Sequence, residues 1–137
     1  MAWRKSMFRK LLILMMSWPF SVLASSGSST QSALDWLKLV DDSQYQQSWI
    51  ESSSLFQEQV SEQTWLGAMN SIRAPLAKVN SRKKISEEEM QSPPNVSVGE
   101  YVVFQFKTSF ANKDDAIETV TVVKQDMQWR VVGYFIK

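Results

Sequence analysis

The chain contains no cysteine and no histidine, and only four glycines and four prolines among its 137 residues. Without cysteine no disulfide can brace the fold, so an apolar core has to suffice, and there is no thiolate to act as a nucleophile or soft metal ligand. Without histidine the commonest metal ligand is missing, and so is the usual general base near neutral pH. The glycines build no phosphate-cradling loop; the nearest approach is Gly99, just before a strand-like run. No calcium-loop spacing occurs, and the serines have no histidine to activate them. No cofactor is expected. Of the simpler catalytic arrangements, a carboxylate–tyrosine pair and a serine–lysine pair stay open.

The first two dozen residues differ from the rest. Arg4, Lys5, Arg9 and Lys10 form a positive segment, and Leu11 to Leu23 is almost wholly apolar, broken by Ser17, Pro19 and Ser21. Val22-Leu23-Ala24 then offers small residues at −3 and −1, followed by Ser25. This is the three-zone pattern of an export signal, with cleavage expected between Ala24 and Ser25. A spanning helix needs roughly 20 apolar residues; this run is shorter and holds a proline. The reading is therefore a signal peptide over 1–24, a periplasmic or secreted mature protein, and no membrane association after cleavage. The signal carries four of the 15 basic residues and none of the 14 acidic ones. The mature chain is thus mildly acidic, which argues against nucleic acid as a partner. Its length suits one domain.

Residues 25–31 (SSGSSTQ) read as a flexible linker, and residues 32–137 as a single domain. From Ser32, a plausible N-cap, Ala33, Leu34, Trp36, Leu37, Leu39 and Val40 occupy one arc of a helix, with Asp35, Lys38 and Asp41 opposite. Between Gln44 and Val60, Tyr45, Trp49, Ser53, Phe56 and Val60 recur at helical spacing, with an interruption near Ser52 to Ser54. Ser61 can cap a third helix, in which Trp65, Leu66, Met69, Ile72 and Leu76 share a face until Pro75 disfavours helical geometry at Ala74.

After Lys78 the period changes to two. Val79 to Met90 is a charged strand suited to a sheet edge. Ser92-Pro93-Pro94-Asn95 reads as a loop. Three stronger strands follow, at Tyr101 to Phe110, Ala116 to Gln125 and Trp129 to Ile136. The connections Ala111 to Asp115 and Asp126-Met127 are of hairpin length, which predicts an antiparallel meander. In the simplest register one face collects Val102, Phe104, Phe106, Val120, Val122, Trp129, Val131 and Phe135. The other collects Val103, Gln105, Lys107, Thr119, Thr121, Arg130, Val132 and Tyr134. The first face needs a cover, which only the helices can supply. The fold class is α+β, with N-terminal helices packed on one face of a curved four-stranded antiparallel meander.

Several polar residues stand out against this frame. Arg73 falls inside the apolar arc of its helix, where an unpaired charge is very costly. It either anchors an anionic ligand at the mouth between helix and sheet, makes a structural salt bridge, or snorkels from the last helical turn. Glu118 alternates onto the core face with Val120 and Val122. It is either half of an ion pair with Arg73 or Arg82, or a general base. Arg82, alone on the charged strand, reads most simply as a solvated edge charge. Tyr45, Trp49 and Tyr134 combine an apolar body with a polar tip and suit either a pocket lining or the core. Glu87-Glu88-Glu89 alternates across a strand and reads as a solvated charge run. The outer sheet face, with Val103, Val132, Tyr134 and Ile136, suits a homodimer contact or an ordinary half-exposed sheet.

The ordered series Trp36-Leu37, Val40-Asp41, Tyr45, Ser48-Trp49, Phe56, Val60, Trp65, Arg73-Ala74-Pro75-Leu76 and Ser81-Arg82 continues through Gly99-Glu100-Tyr101, Phe110 and Glu118-Thr119. It closes on Trp129-Arg130-Val131 and Gly133-Tyr134-Phe135-Ile136. The series resembles the bacterial domain-of-unknown-function family 4019. The resemblance implies a small secreted or periplasmic protein of cystatin-like or nuclear-transport-factor-2-like α+β type, with Arg73, Arg82, Glu118 and Tyr134 at the family's polar positions, and it implies no activity. The chain departs from the family in three places. Ala77 stands where a glycine usually follows Pro-Leu, Met127 replaces the turn glycine after Asp126, and the proline loop reads Ser-Pro-Pro-Asn-Val-Ser.

The function these features suggest is a non-enzymatic module for a small ligand or a protein partner. The alternative is an enzyme in a cone-shaped fold, with Glu118 as base and Tyr45 or Tyr134 as acid. The relation of Arg73 to Glu118 is the geometric test: a sealed pair would be structural, while an open cavity between them would favour chemistry.

Overall fold

The computed structural model describes residues 28–92 and 99–137. The predicted signal peptide, residues 25–27 of the linker and most of the proline loop lie outside the described residues. Four short helices come first: α1 (Ser29–Asp41), α2 (Tyr45–Ile50), α3 (Ser54–Gln59) and α4 (Glu62–Ala68). A π-helical turn (Met69–Arg73) and a 3-10 turn (Ala74–Leu76) extend α4. The strands β1 (Val79–Gln91), β2 (Glu100–Phe110), β3 (Lys113–Gln125) and β4 (Gln128–Ile136) then form an antiparallel meander in the order β1-β2-β3-β4. The α+β class read from the periodicities is the one observed.

Three of the four helix starts are set by serine hydroxyls. Ser28 accepts from the Gln31 amide, Ser53 from Phe56 and Ser61 from Thr64, each supplying an acceptor to an otherwise unpaired N–H of the first turn. The first of these corrects the linker reading: α1 begins at Ser29 with Ser28 as its cap, so 29–31 are helical and Ser32 is interior. Lys113, Asp114 and Asp115 likewise belong to β3, which leaves only Ala111 and Asn112 in the β2–β3 connection. The Asp126-Met127 turn does have two residues, and both have positive φ (50° and 65°), as a tight hairpin requires.

The core joins Ala33, Trp36, Leu37 and Val40 of α1, and Tyr45, Phe56, Trp65 and Met69, to Val102, Phe104, Phe106, Val120, Val122 and Val131 of the sheet. Three indole N–H groups in and around this layer have acceptors. Trp36 donates to the Ser48 carbonyl at 2.8 Å, Trp65 to the Ser48 hydroxyl at 2.9 Å, and Trp49 to the Val60 carbonyl at 2.8 Å. Burying these large rings therefore leaves their polar tips satisfied.

Two local irregularities re-aim side chains. In β4, Thr121 pairs with Gly133 but Val122 with Val131, so Val132 is an extra residue. Such a bulge reverses the alternation beyond it. Tyr134 consequently turns into the core, where its ring packs edge-on to Trp36 at 5.2 Å, and Phe135 is 59% exposed. The expected facing of these two residues is therefore reversed. After α4, the wider π turn rotates the helix so that Arg73 is buried and Ile72, expected on the core face, is 54% exposed.

Candidate functional site

The polar residues singled out in the sequence meet at the end of the sheet nearest the β2–β3 turn, in two connected groups. In the first, Glu118 is completely buried on the inner face of β3 and accepts three side-chain hydrogen bonds. Arg82 Nε donates at 2.8 Å and Thr108 Oγ1 at 2.5 Å, both to Oε1, and the Tyr134 hydroxyl donates to Oε2. β1 places Arg82 opposite Thr108, and β3 places Glu118 opposite Phe106, so the three strands deliver these groups to one point. The β4 bulge brings Tyr134 to the same point.

In the second group, Arg73 reaches from the π turn to the Ala77 carbonyl (2.7 Å) and to Asp41 at the end of α1 (3.2 Å). Its guanidinium lies over the Phe110 ring, 4.6 Å from the centroid, a favourable cation–π arrangement. Asp41 links the groups, because it also receives a two-pronged contact from Arg82 at 2.7 and 2.9 Å. The chain of charges is therefore Arg73–Asp41–Arg82–Glu118, two cations alternating with two anions. Such alternation is what permits four charges in so small a buried volume.

The electrostatics follow from these contacts. Burial alone would lower the pKa of Arg82, but its hydrogen bonds to Asp41 and Glu118 and their charges outweigh that and hold it above its ordinary value. Tyr134 is pushed well above the usual phenol range, first by burial and then by the charge and hydrogen bond of Glu118, with Arg73 and Arg82 acting in the opposite direction. It is a locked neutral donor at physiological pH.

Arg73 and Asp41 also border a cleft of about 580 Å³. Lys38, Asp42 and Ser43 from the end of α1, Tyr45 at the start of α2, and Ala77 and Lys78 before β1 complete its main walls. Arg73 is 2% exposed, and its Nε is buried with no hydrogen-bond partner. Ala77 forms the lip in a left-handed conformation (φ 63°, ψ −145°) that strains a residue with a side chain.

The structure thus brings together Arg82, Glu118 and Tyr134 in one group and Arg73 and Tyr45 in the other. Arg73 pairs with Asp41 rather than with Glu118. Arg82 is no solvated edge charge: its side chain is 12% exposed and all three nitrogens are engaged. Trp49 stands apart, donating to Val60 and accepting from Gln57 at its carbonyl. The residues missed in the sequence are Asp41 and Thr108. Asp41 had one signal, since a carboxylate at a helix C-terminus opposes the helix dipole and needs a cationic partner. Thr108 had none beyond its parity with Phe106. Among the described residues, no group of three or more His, Cys, Asp or Glu side chains is placed to hold a metal ion.

The family described as "Protein of unknown function (DUF4019)" matches residues 32–134. The chain belongs to this family. That match takes in α1 from Ser32 to Tyr134, and so every member of the charge chain. No curated protein matches the sequence.

Proposed function

We propose that this member of the family is an exported, non-enzymatic module that binds a small ligand in the cleft bordered by Arg73, Asp41, Tyr45 and Lys78. Arg73 carries this reading: it is a buried cation that lines the cleft and has one donor, Nε, without a partner, and an unsatisfied charged group is costly unless something supplies an acceptor. The ligand class that answers it bears a carboxylate or carbonyl oxygen. Export rests on the three-zone pattern of residues 1–24. Acid–base catalysis is the weaker reading, because a catalytic carboxylate must reach its substrate and Glu118 is sealed under three donors.

Two measurements test the proposal. Fractionation of cells expressing the full chain, with intact mass of the product, should find a periplasmic or secreted species beginning at Ser25; a cytoplasmic product beginning at Met1 would sink the export reading. A thermal-shift panel of small mono- and dicarboxylates should stabilise the purified protein, and Lys78→Glu should abolish the shift without changing the melting temperature of the free protein. Equal shifts in the variant, or none in either protein, would remove the cleft as the site.

A further inference from the structure

The two edges of the sheet are treated differently. Along β4 the Ser53 amide donates to the Val131 carbonyl at 2.8 Å, Arg130 reaches the Glu51 carbonyl, and α1 and α3 pack against the strand. β1 is the other edge and is 13 residues long, and every residue from Lys83 to Gln91 is exposed. An exposed strand of that length is a ready template for another strand unless its side chains forbid pairing.

Its charges are ordered by sign. Arg82-Lys83-Lys84 precede Ile85-Ser86, and Glu87-Glu88-Glu89 follow. An edge of lysines alone would repel a copy of itself. This pattern instead inverts about the Ile85–Ser86 step, so a two-fold rotation there sets Lys84 opposite Glu87 and Lys83 opposite Glu88, each combination twice. Arg82, already held by Asp41 and Glu118, is not needed.

A regular strand would defeat this register, because residues three apart point to opposite faces. The irregularity in β1 removes the obstacle. Lys84 pairs with Phe106 and Ser86 with Gln105, so Ile85 is inserted and the alternation reverses beyond it. Lys84 and Glu87 therefore share the inner face, as their own 3.0 Å contact within one chain shows. Lys83, opposite Lys107, and Glu88, opposite Val103, share the outer face. Charge order and bulge position are separate properties of the strand: the charge order selects this register, and the bulge puts its paired side chains on common faces.

We infer that two copies of this chain pair antiparallel through β1 about the Ile85–Ser86 step, joining their sheets into one of eight strands. The contact is isologous, and its charged rim is accessible to salt, so the association weakens as ionic strength rises. It is distinct from a dimer built on the outer sheet face.

Sedimentation equilibrium of the purified protein at low salt and at about 1 M salt, across a concentration series, tests it. The wild type should dimerise at low salt. Lys83→Glu/Lys84→Glu and Glu87→Lys/Glu88→Lys should each raise the dimer dissociation constant more than about tenfold. Circular dichroism and melting of each variant should stay native, since all four positions are exposed. An equimolar mixture of the two reversed variants should form a heterodimer. A wild type that stays monomeric throughout would overturn the inference. So would reversed variants that dimerise as well as wild type but lose the dimer on Phe135→Ser, which would place the contact on the outer face.

Discussion

From Phe106 to the Asp126-Met127 turn, the inner face of the sheet is filled by Phe104, Val102, Val120, Val122 and Val131 beneath the rings of α1 and α4. Toward the β2–β3 turn the same face carries Thr108, Glu118 and Arg82, closed over by Asp41 and Arg73. Both ends are buried, but they respond to damage by different rules. Apolar packing is non-directional and loses roughly what is removed plus the cavity left behind. The charge chain is held by mutual satisfaction, so removing one member strands its partners in a place where they cannot hydrate. It stabilises less than its four ion-paired groups suggest and is far less tolerant of a single change.

The sharpest test compares Phe104→Ala with Glu118→Ala. Each should cost about 3–5 kcal/mol in denaturant unfolding, the first through a cavity and the second through the Arg82 Nε and the Thr108 and Tyr134 hydroxyls, which lose their common acceptor. The two ends part company in the double variant. Arg82→Met/Glu118→Leu should recover much of the loss of Glu118→Ala, because no lone charge remains. If the single effects simply add, the ionic end behaves like the apolar one and the distinction fails.

Tyr134 lies where the two ends meet, packed edge-on to Trp36 and bonded to Glu118. Tyr134→Phe keeps the ring and removes one hydrogen bond to a charged acceptor, at a cost of about 1.5–3 kcal/mol. Its pH signature is distinctive. Because the folded-state pKa is raised, the unfolded chain releases this proton first as pH passes about 10. The stabilisation is whole below that pH and falls above it by up to about 1.4 kcal/mol per unit until the folded phenol also ionises. Ultraviolet titration should show a late-ionising phenol in the wild type that is missing from Tyr134→Phe.

Smaller effects probe the borders of the ionic end. Ala77→Gly relieves a backbone conformation suited to glycine and should stabilise by about 1–2 kcal/mol, with the Arg73 contact to its carbonyl retained. The equivalent change at the opposite end, Met127→Gly, should give about 1 kcal/mol. Phe135→Ser should cost less than about 1 kcal/mol, since the bulge leaves this ring largely in solvent. A loss as large as that of Phe104→Ala would mean that the simple alternation across β4 holds after all.

Most of the fold was legible in the sequence, because its signals are local. A period of 3.6 before Lys78 and of two after it, serines ahead of apolar runs, and short connections between strands specify helices first and a meander second. The candidate site was legible only as a set of anomalies. Arg73 and Glu118 stood out because a charge on an apolar arc or strand face needs an explanation, and both are central to the observed network. Arg82 looked ordinary, since an arginine on a weak strand carries no mark of what lies across the sheet. Asp41 looked like a helix end, although it is the acceptor that joins both arginines.

By itself, then, the sequence determined the α+β order, the strand lengths to within a few residues, the apolar inner face, and the fact that two charged groups had to be reconciled with it. Tertiary structure alone decided which partners reconcile them, that Tyr134 and Phe135 exchange faces, and that Ile72, on the same arc as Arg73, turns out. The reason is physical. Periodicity encodes which side of a regular element is apolar, but one inserted residue, in a β-bulge or a π turn, resets the phase for everything beyond it. What such an insertion gains depends on groups distant in the chain: Asp41, 32 residues from Arg73, and Glu118, 16 residues from Tyr134.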